Sequence, residues 1–240
     1  MDVERFAAEL PLLFEDFPRS EHPKGRRFED ILEAVPNLAC ENNLALVNLA
    51  ASLLPPGECY VEVGTYAGAS LIAAERGNGG KEFVAVDDFS FAPLTVRGRK
   101  LPQASRRALE DNLRRFGADA NVAILEGDAF EVLETCTLSG RTVGVYYYDG
   151  PHAYEEQLRG MRAIEPYLAD RALVIVDDTD WEHVARATRD YLAAQPRARL
   201  LLEIGGADRG LPQWWEGVQA VAWERGPAYD ADASPTLGAA

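Results

Sequence analysis

The residues able to do chemistry in this chain sit in short clusters, each just after an apolar run. The densest are Asp149-Gly150-Pro151-His152 and Asp177-Asp178-Thr179-Asp180-Trp181, which follow VGVYYY and LVIV. Carboxylates gathered without partners repel and raise each other's pKa. A hard divalent cation with oxygen ligands resolves that repulsion. Asp149, Asp177 and Asp178 are therefore candidate ligands for Mg2+ or Mn2+. Histidine side chains titrate near neutral pH, so His152, three residues past Asp149, is a candidate general base, as is Asp149 itself. The plainer reading makes the acids helix N-caps with an arginine partner and the histidine a structural residue. His22 and His183 have no such company and read as surface or packing residues.

Three further clusters carry binding signals. Glu62-Val63-Gly64-Thr65-Tyr66-Ala67-Gly68-Ala69-Ser70 has glycines for a tight turn and for close backbone approach to a ligand. Its spacing is not G-x-G-x-x-G, and an acid precedes the first glycine by two residues. That carboxylate disfavours a pyrophosphate and favours a cationic amino group, while Ser70 could donate to a carboxylate. The alternative is a plain turn with a capping serine. Asp87 lies 23 residues beyond Gly64, where an acid grips a ribose diol. Asp128, before Ala129, suits a helix N-cap and an adenine amino group equally well.

These clusters need elements to hold them. Short β-rich runs at Cys59–Val63, Phe83–Val86, Val122–Leu125, Val143–Tyr148, Leu173–Val176, Arg199–Ile204 and Gln219–Trp223 predict seven strands. Helices are predicted at Ala69–Arg76, Ala104–Phe116, Ala129–Thr135, Tyr154–Leu168 and His183–Ala194. The alternation implies an α/β, doubly wound, Rossmann-like fold with a seven-stranded, mostly parallel sheet. The last strand has no helix before it and is expected to pair antiparallel at or near an edge. In such a sheet, ligands bind beyond the carboxyl ends of the strands, where all these clusters fall. Residues 1–40 read as an N-terminal helical cap, with a short helix opening near Phe28. A helix follows from about Glu41 to Leu54, with Leu44, Val47 and Leu54 on one stripe. The main domain spans 41–224, and the tail 225–240 reads as disordered.

The chain has 39 Asp plus Glu against 24 Lys plus Arg, a net charge of −15. That excludes a general nucleic-acid binder, which needs a basic footprint, and disfavours anionic membranes. No membrane span or signal peptide is expected. Cys40, Cys59 and Cys136 show no metal-ligand spacing, and a reduced cytoplasm fits them. Seven basic residues crowd into 97–115 against Glu110 and Asp111. Their loop could close as a lid and select an acidic or phosphorylated substrate, or the residues could form a solvated face. Trp214 and Trp215 are candidates for a pocket wall or for the core.

Together these segments resemble the class I S-adenosylmethionine-dependent methyltransferases. More narrowly, they are similar to the catechol O-methyltransferase group and its natural-product relatives of the macrocin O-methyltransferase kind. YVEVGTYAGAS matches in Glu62, Gly64, Tyr66, Gly68 and Ser70, and YYYDGPHAYEEQL and ALVIVDDTDW match the metal-binding pair. The resemblance covers about Glu41 to Trp223. It implies that Glu62, Gly64, Thr65, Tyr66 and Gly68 hold the methionine part of S-adenosylmethionine, and Ser70 its carboxylate. Asp87 would take the ribose, Asp128 and Ala129 the adenine, and Asp149, Asp177 and Asp178 the metal, with Asp149 also beside the cofactor. His152 stands where catechol O-methyltransferases carry a lysine base, and Asp178 where they carry asparagine. The expected activity is O-methylation of a small-molecule acceptor: a natural product, sugar or phenol. N- or C-methylation, a non-catalytic binder of the cofactor, and a nicotinamide dehydrogenase are the alternatives; the glycine spacing argues against the last. Oligomeric state stays open, a homo-oligomer included.

Overall fold

The computed structural model describes residues 1–135 and 137–226. Cys136 and nearly all of the tail expected to be disordered lie outside the described residues. In chain order the elements are α1 (Val3–Glu9), α2 (Glu29–Ala34), α3 (Glu41–Ser52), β1 (Cys59–Val63), α4 (Ala69–Glu75), β2 (Glu82–Asp87), β3 (Leu94–Val96), β4 (Arg99–Leu101), α5 (Arg106–Phe116), β5 (Val122–Glu126), α6 (Ala129–Glu134), β6 (Val143–Tyr148), α7 (Tyr154–Ala163), β7 (Leu168–Asp177), α8 (Glu182–Ala194), β8 (Ala198–Ile204) and β9 (Val218–Glu224). Short 3-10 turns occur at Leu10–Leu13, Glu165–Tyr167, Ala207–Arg209 and Pro212–Trp214.

Seven strands form one sheet in the order β5-β2-β1-β6-β7-β9-β8, and β3 and β4 form a separate hairpin. β5, β2, β1, β6 and β7 are parallel, while β9 runs antiparallel to both β7 and β8. The expected fold class holds. The final strand lies one place in from the edge, because β9 inserts between β7 and β8 and leaves β8 outermost.

Alternation along the strands separates two cores. Tyr60, Phe83, Val145, Tyr147 and Leu173 face one side and pack with residues of α1 to α5. Val61, Val84, Tyr146, Tyr148 and Val174 face the other and pack with residues of α6, α7 and α8. A layer of helices on each face buries strands that are apolar on both sides.

Four expectations need correction. The helix from Tyr154 stops at Ala163, and Leu168, its expected end, opens β7. Pro166 sits in the 3-10 turn between them, and a proline cannot supply the N–H that a longer helix needs. β7 therefore starts at Leu168, paired with Val143, rather than at Leu173. α3 has no single apolar stripe: every residue from Glu41 to Ala51 is buried, because α4, β6 and the turns at 10–13 and 212–214 surround it. The stretch 94–101, read as loop, is the β3–β4 hairpin. Among the described residues, no helix is long and apolar enough to cross a membrane.

Candidate active site

The strand order reverses between β1 and β6, and a cleft of about 400 Å3 opens beyond their carboxyl ends. The turn after β1 forms its floor. Glu62, the penultimate β1 residue, is fully buried and accepts hydrogen bonds from Ser70 Oγ (2.7 Å) and Tyr60 OH (2.8 Å). Burial pushes its carboxyl up to about 8 despite those two donors. Ser70, expected to face a ligand carboxylate, has its hydroxyl proton on Glu62.

Gly64 has φ +84°, and a Cβ there would lie 1.8 Å from the Asp149 carbonyl oxygen. Its bareness lets β1 and β6 end side by side. Gly68, at φ +91°, precedes α4, and that left-handed backbone is what favours glycine there; a Cβ would also press on the Leu109 side chain at 2.5 Å. Thr65 is buried, with no hydrogen-bond partner for its hydroxyl. Tyr66 has φ +50°; its N–H donates to Asp87 Oδ2 (2.6 Å), and its hydroxyl donates to the Pro102 carbonyl (2.9 Å). Asp87 also accepts from the Phe89 N–H at 2.6 Å, so its carboxylate braces two loops while lining the cleft. Burial raises its pKa. Asp128 Oδ1 accepts from the Phe130 and Glu131 N–H groups at 3.0 and 2.9 Å. It is thus the N-cap of α6, and Asp128 and Ala129 also line the cleft.

The acids at the ends of β6 and β7 converge on a histidine. His152 Nε2 lies 3.4 Å from both Asp149 Oδ1 and Asp178 Oδ2. Ligand-capable atoms of these three residues all lie within 4.8 Å of one another. Asp178 has φ +56°, a left-handed backbone that aspartate tolerates and that recurs at functional sites. Burial, then the charges of Asp177 and Asp149, push its carboxyl up to about 8. Asp149 is raised well above the usual carboxylate range by burial and by the charges of Asp177, Glu62 and Asp87. Asp177, expected as a third ligand, lies outside the three-residue group. Its Oδ2 accepts from the Tyr147 hydroxyl, and its Oδ1 is buried without a partner. No arginine or lysine pairs with Asp149, Asp177 or Asp178 among the described residues, so the arginine-partnered reading of this cluster fails.

Residues 61–179 match a family model described as a methyltransferase domain. The chain carries a methyltransferase domain. No curated protein matches the chain. Among solved structures, the domain's fold is similar to cofactor-bound Rv0187 from MTB, with a TM-score of 0.59 and 20% identity over 93% of this chain and 96% of that one. An O-methyltransferase from Bacillus cereus in complex with SAH gives 0.58 and 14% over 92% and 100%. The O-methyltransferase TomG from Streptomyces achromogenes, in complex with SAM, gives 0.58 and 18% over 93% and 99%. At these identities the likeness is one of fold.

Sequence reasoning did not name the individual residues of one wall of the methyltransferase cleft. Pro36–Ala39, Ser90, Phe91 and Trp181 line it. Trp181 directly follows the acids after β7, so the strand-end rule could have found it; its ring meets the His152 ring edge-on, with centroids 5.2 Å apart. The segment 36–39 carries no motif. Trp214 belongs to the core: it packs on Phe14 and Phe17, and its indole N–H donates to the Pro18 carbonyl at 2.7 Å. Trp215 lies beneath the guanidinium groups of Arg97 and Arg99. Neither Trp214 nor Trp215 lines the cleft.

Proposed function

We propose that the protein transfers the methyl group of S-adenosylmethionine to a hydroxyl oxygen of a small molecule, with Mg2+ or Mn2+ held by Asp149 and Asp178. One observation carries this reading: Asp149, His152 and Asp178 converge beside the glycine turn of a methyltransferase domain. The SAM- and SAH-bound O-methyltransferases of similar fold support the donor. The residues fit a divalent cation. Two carboxylates raised by burial and by neighbouring carboxylates have no lysine or arginine beside them among the described residues, and Asp177 Oδ1, in the same cleft wall, is buried without a partner. Unpaired Cys40 and Cys59 suit a cytoplasmic setting.

When bound, the sulfonium offers an electrophilic methyl carbon and the divalent ion lowers the pKa of an acceptor hydroxyl. The chain's own contribution is positioning and proton removal. Asp87 takes the donor's ribose, and Glu62, through the hydrogen bond it accepts from Ser70, holds the turn on which the donor's methionine part rests. His152, held between two carboxylates and against the edge of Trp181, takes the hydroxyl proton at Nε2. Leu38, Phe91 and Trp181 cover the apolar part of the acceptor and exclude water.

The test is turnover of S-adenosylmethionine with a vicinal diol such as catechol. Expected results are loss of product with EDTA, recovery with Mg2+ or Mn2+, and about a 100-fold or greater fall in kcat for His152→Ala. Turnover indifferent both to chelation and to Asp149→Ala would remove the metal mechanism. A new methyl found on nitrogen or carbon by NMR would favour the metal-free alternative.

A further inference from the structure

We propose that the acceptor bears no phosphate or carboxylate, and that the cleft takes neutral and preferably cationic molecules with a flat apolar face. This rests on the methyl-transfer reading of the same cleft and names its substrate class.

The argument is electrostatic. No lysine or arginine lines the cleft among the described residues, while six aspartates do: Asp87, Asp88, Asp128, Asp149, Asp177 and Asp178. The residues outside the description, Cys136 and 227–240, include no Lys or Arg, so they can add no positive charge. Asp87, Asp88 and Asp128 lie apart from the group that would hold the divalent ion and keep the cleft acidic when it is bound. An anionic acceptor would therefore enter a field of its own sign, with no guanidinium or ammonium to receive it.

The nearby basic segment does not supply that group. Arg97 pairs with Glu216 and stacks on Trp215 at 4.6 Å. Arg99 donates to Asn37 Oδ1 (3.0 Å) and the Ala39 carbonyl (3.2 Å), behind the cleft wall, and stacks on the same indole at 5.1 Å. Arg106, Arg107 and Arg114 pair with Glu110 or Asp111, and Arg115 donates to the Ala34 carbonyl. Lys100 is exposed and does not line the cleft. These arginines fasten the wall and cap the α5 surface; they are not presented to a ligand. Beside the polar but uncharged Asn37 and Ser90, the lining includes Leu38, Phe91, Pro151 and Trp181, whose apolar and aromatic surfaces suit a flat face and, through the indole, a cation.

Three probes of one shape separate the charges: 3,4-dihydroxybenzylamine, 3,4-dihydroxybenzyl alcohol and 3,4-dihydroxybenzoate. Their affinities are read by calorimetry on the full chain loaded with S-adenosylhomocysteine and Mg2+. The amine is expected to bind at least about tenfold tighter than the benzoate, with the alcohol between them. The gap should shrink with added salt and with Leu38→Lys, which puts a positive charge in the wall. Benzoate binding as tightly as the amine, or no binding by any of the three, overturns the proposal. S-adenosylhomocysteine is titrated first: its failure to bind sinks the methyl-transfer reading, whereas a failed charge order with the nucleoside bound sinks only the substrate class.

Discussion

At Gly64 even one methyl group would collide with the Asp149 carbonyl, and the backbone there is left-handed. Gly64→Ala is expected to cost about 3 kcal/mol, from strain and overpacking together, read as a lowered midpoint in denaturant. Glu62 sets a different kind of dependence. Its folded pKa is about 8, against an ordinary 4.5. Between those values the folded protein keeps a proton that the unfolded chain releases. The contribution of this group is present in full below pH 4.5 and is lost as pH rises to about 8. Thermal melts should show a smaller fall in Tm from pH 5 to pH 8 for Glu62→Gln than for the wild type. The repulsion between Asp149 and Asp178 predicts that saturating Mn2+ raises Tm, by roughly 5 °C at a concentration near 100 times Kd. Asp178→Asn should reduce that rise. Melting with and without Mn2+ checks both.

The β3–β4 hairpin ties distant parts of the chain together. Arg97 and Arg99 cover Trp215, Arg97 pairs with Glu216, and Arg99 holds Asn37 and Ala39. Arg99→Met should free the 36–39 wall, raising KM for the acceptor several-fold with little change in donor affinity. Steady-state kinetics beside calorimetry of S-adenosylhomocysteine would show the split. This hairpin was not legible in the sequence: LTVRGRKL is too short and too charged to alternate, and its partners lie up to 119 residues away. The five parallel strands were legible, because each is a compact apolar run closed by an acid or glycine. Their ends named Glu62, Asp87, Asp149 and Asp178 in advance, since a doubly wound sheet gathers those ends at one rim. What escaped depends on tertiary contact. That includes the early start of β7, the burial of α3 on all sides, and the turn of Asp177 towards Tyr147.

Across the whole molecule, the excess of acid has two distributions: most of it is spread over the surface, and a few residues are concentrated around one cleft. The first forty residues, expected as a cap, share their core with the sheet. Val3, Phe6, Leu10 and Ile31 pack in the same cluster as Tyr60, Val145 and Leu173. Removing residues 1–40 is therefore expected to expose that face and abolish the cooperative thermal transition, measured by near-ultraviolet circular dichroism. The position of β9 has a consequence for biosynthesis. During synthesis β7, which leads into Asp178, emerges with β6 already available on one flank. Its other neighbour is the final strand, Val218–Glu224, and β8 has no place in the sheet until that strand arrives. A ribosome that stalls after residue 204 and before residue 218 holds a chain with an open β7 edge and a homeless strand, a target for chaperones or for a second nascent copy.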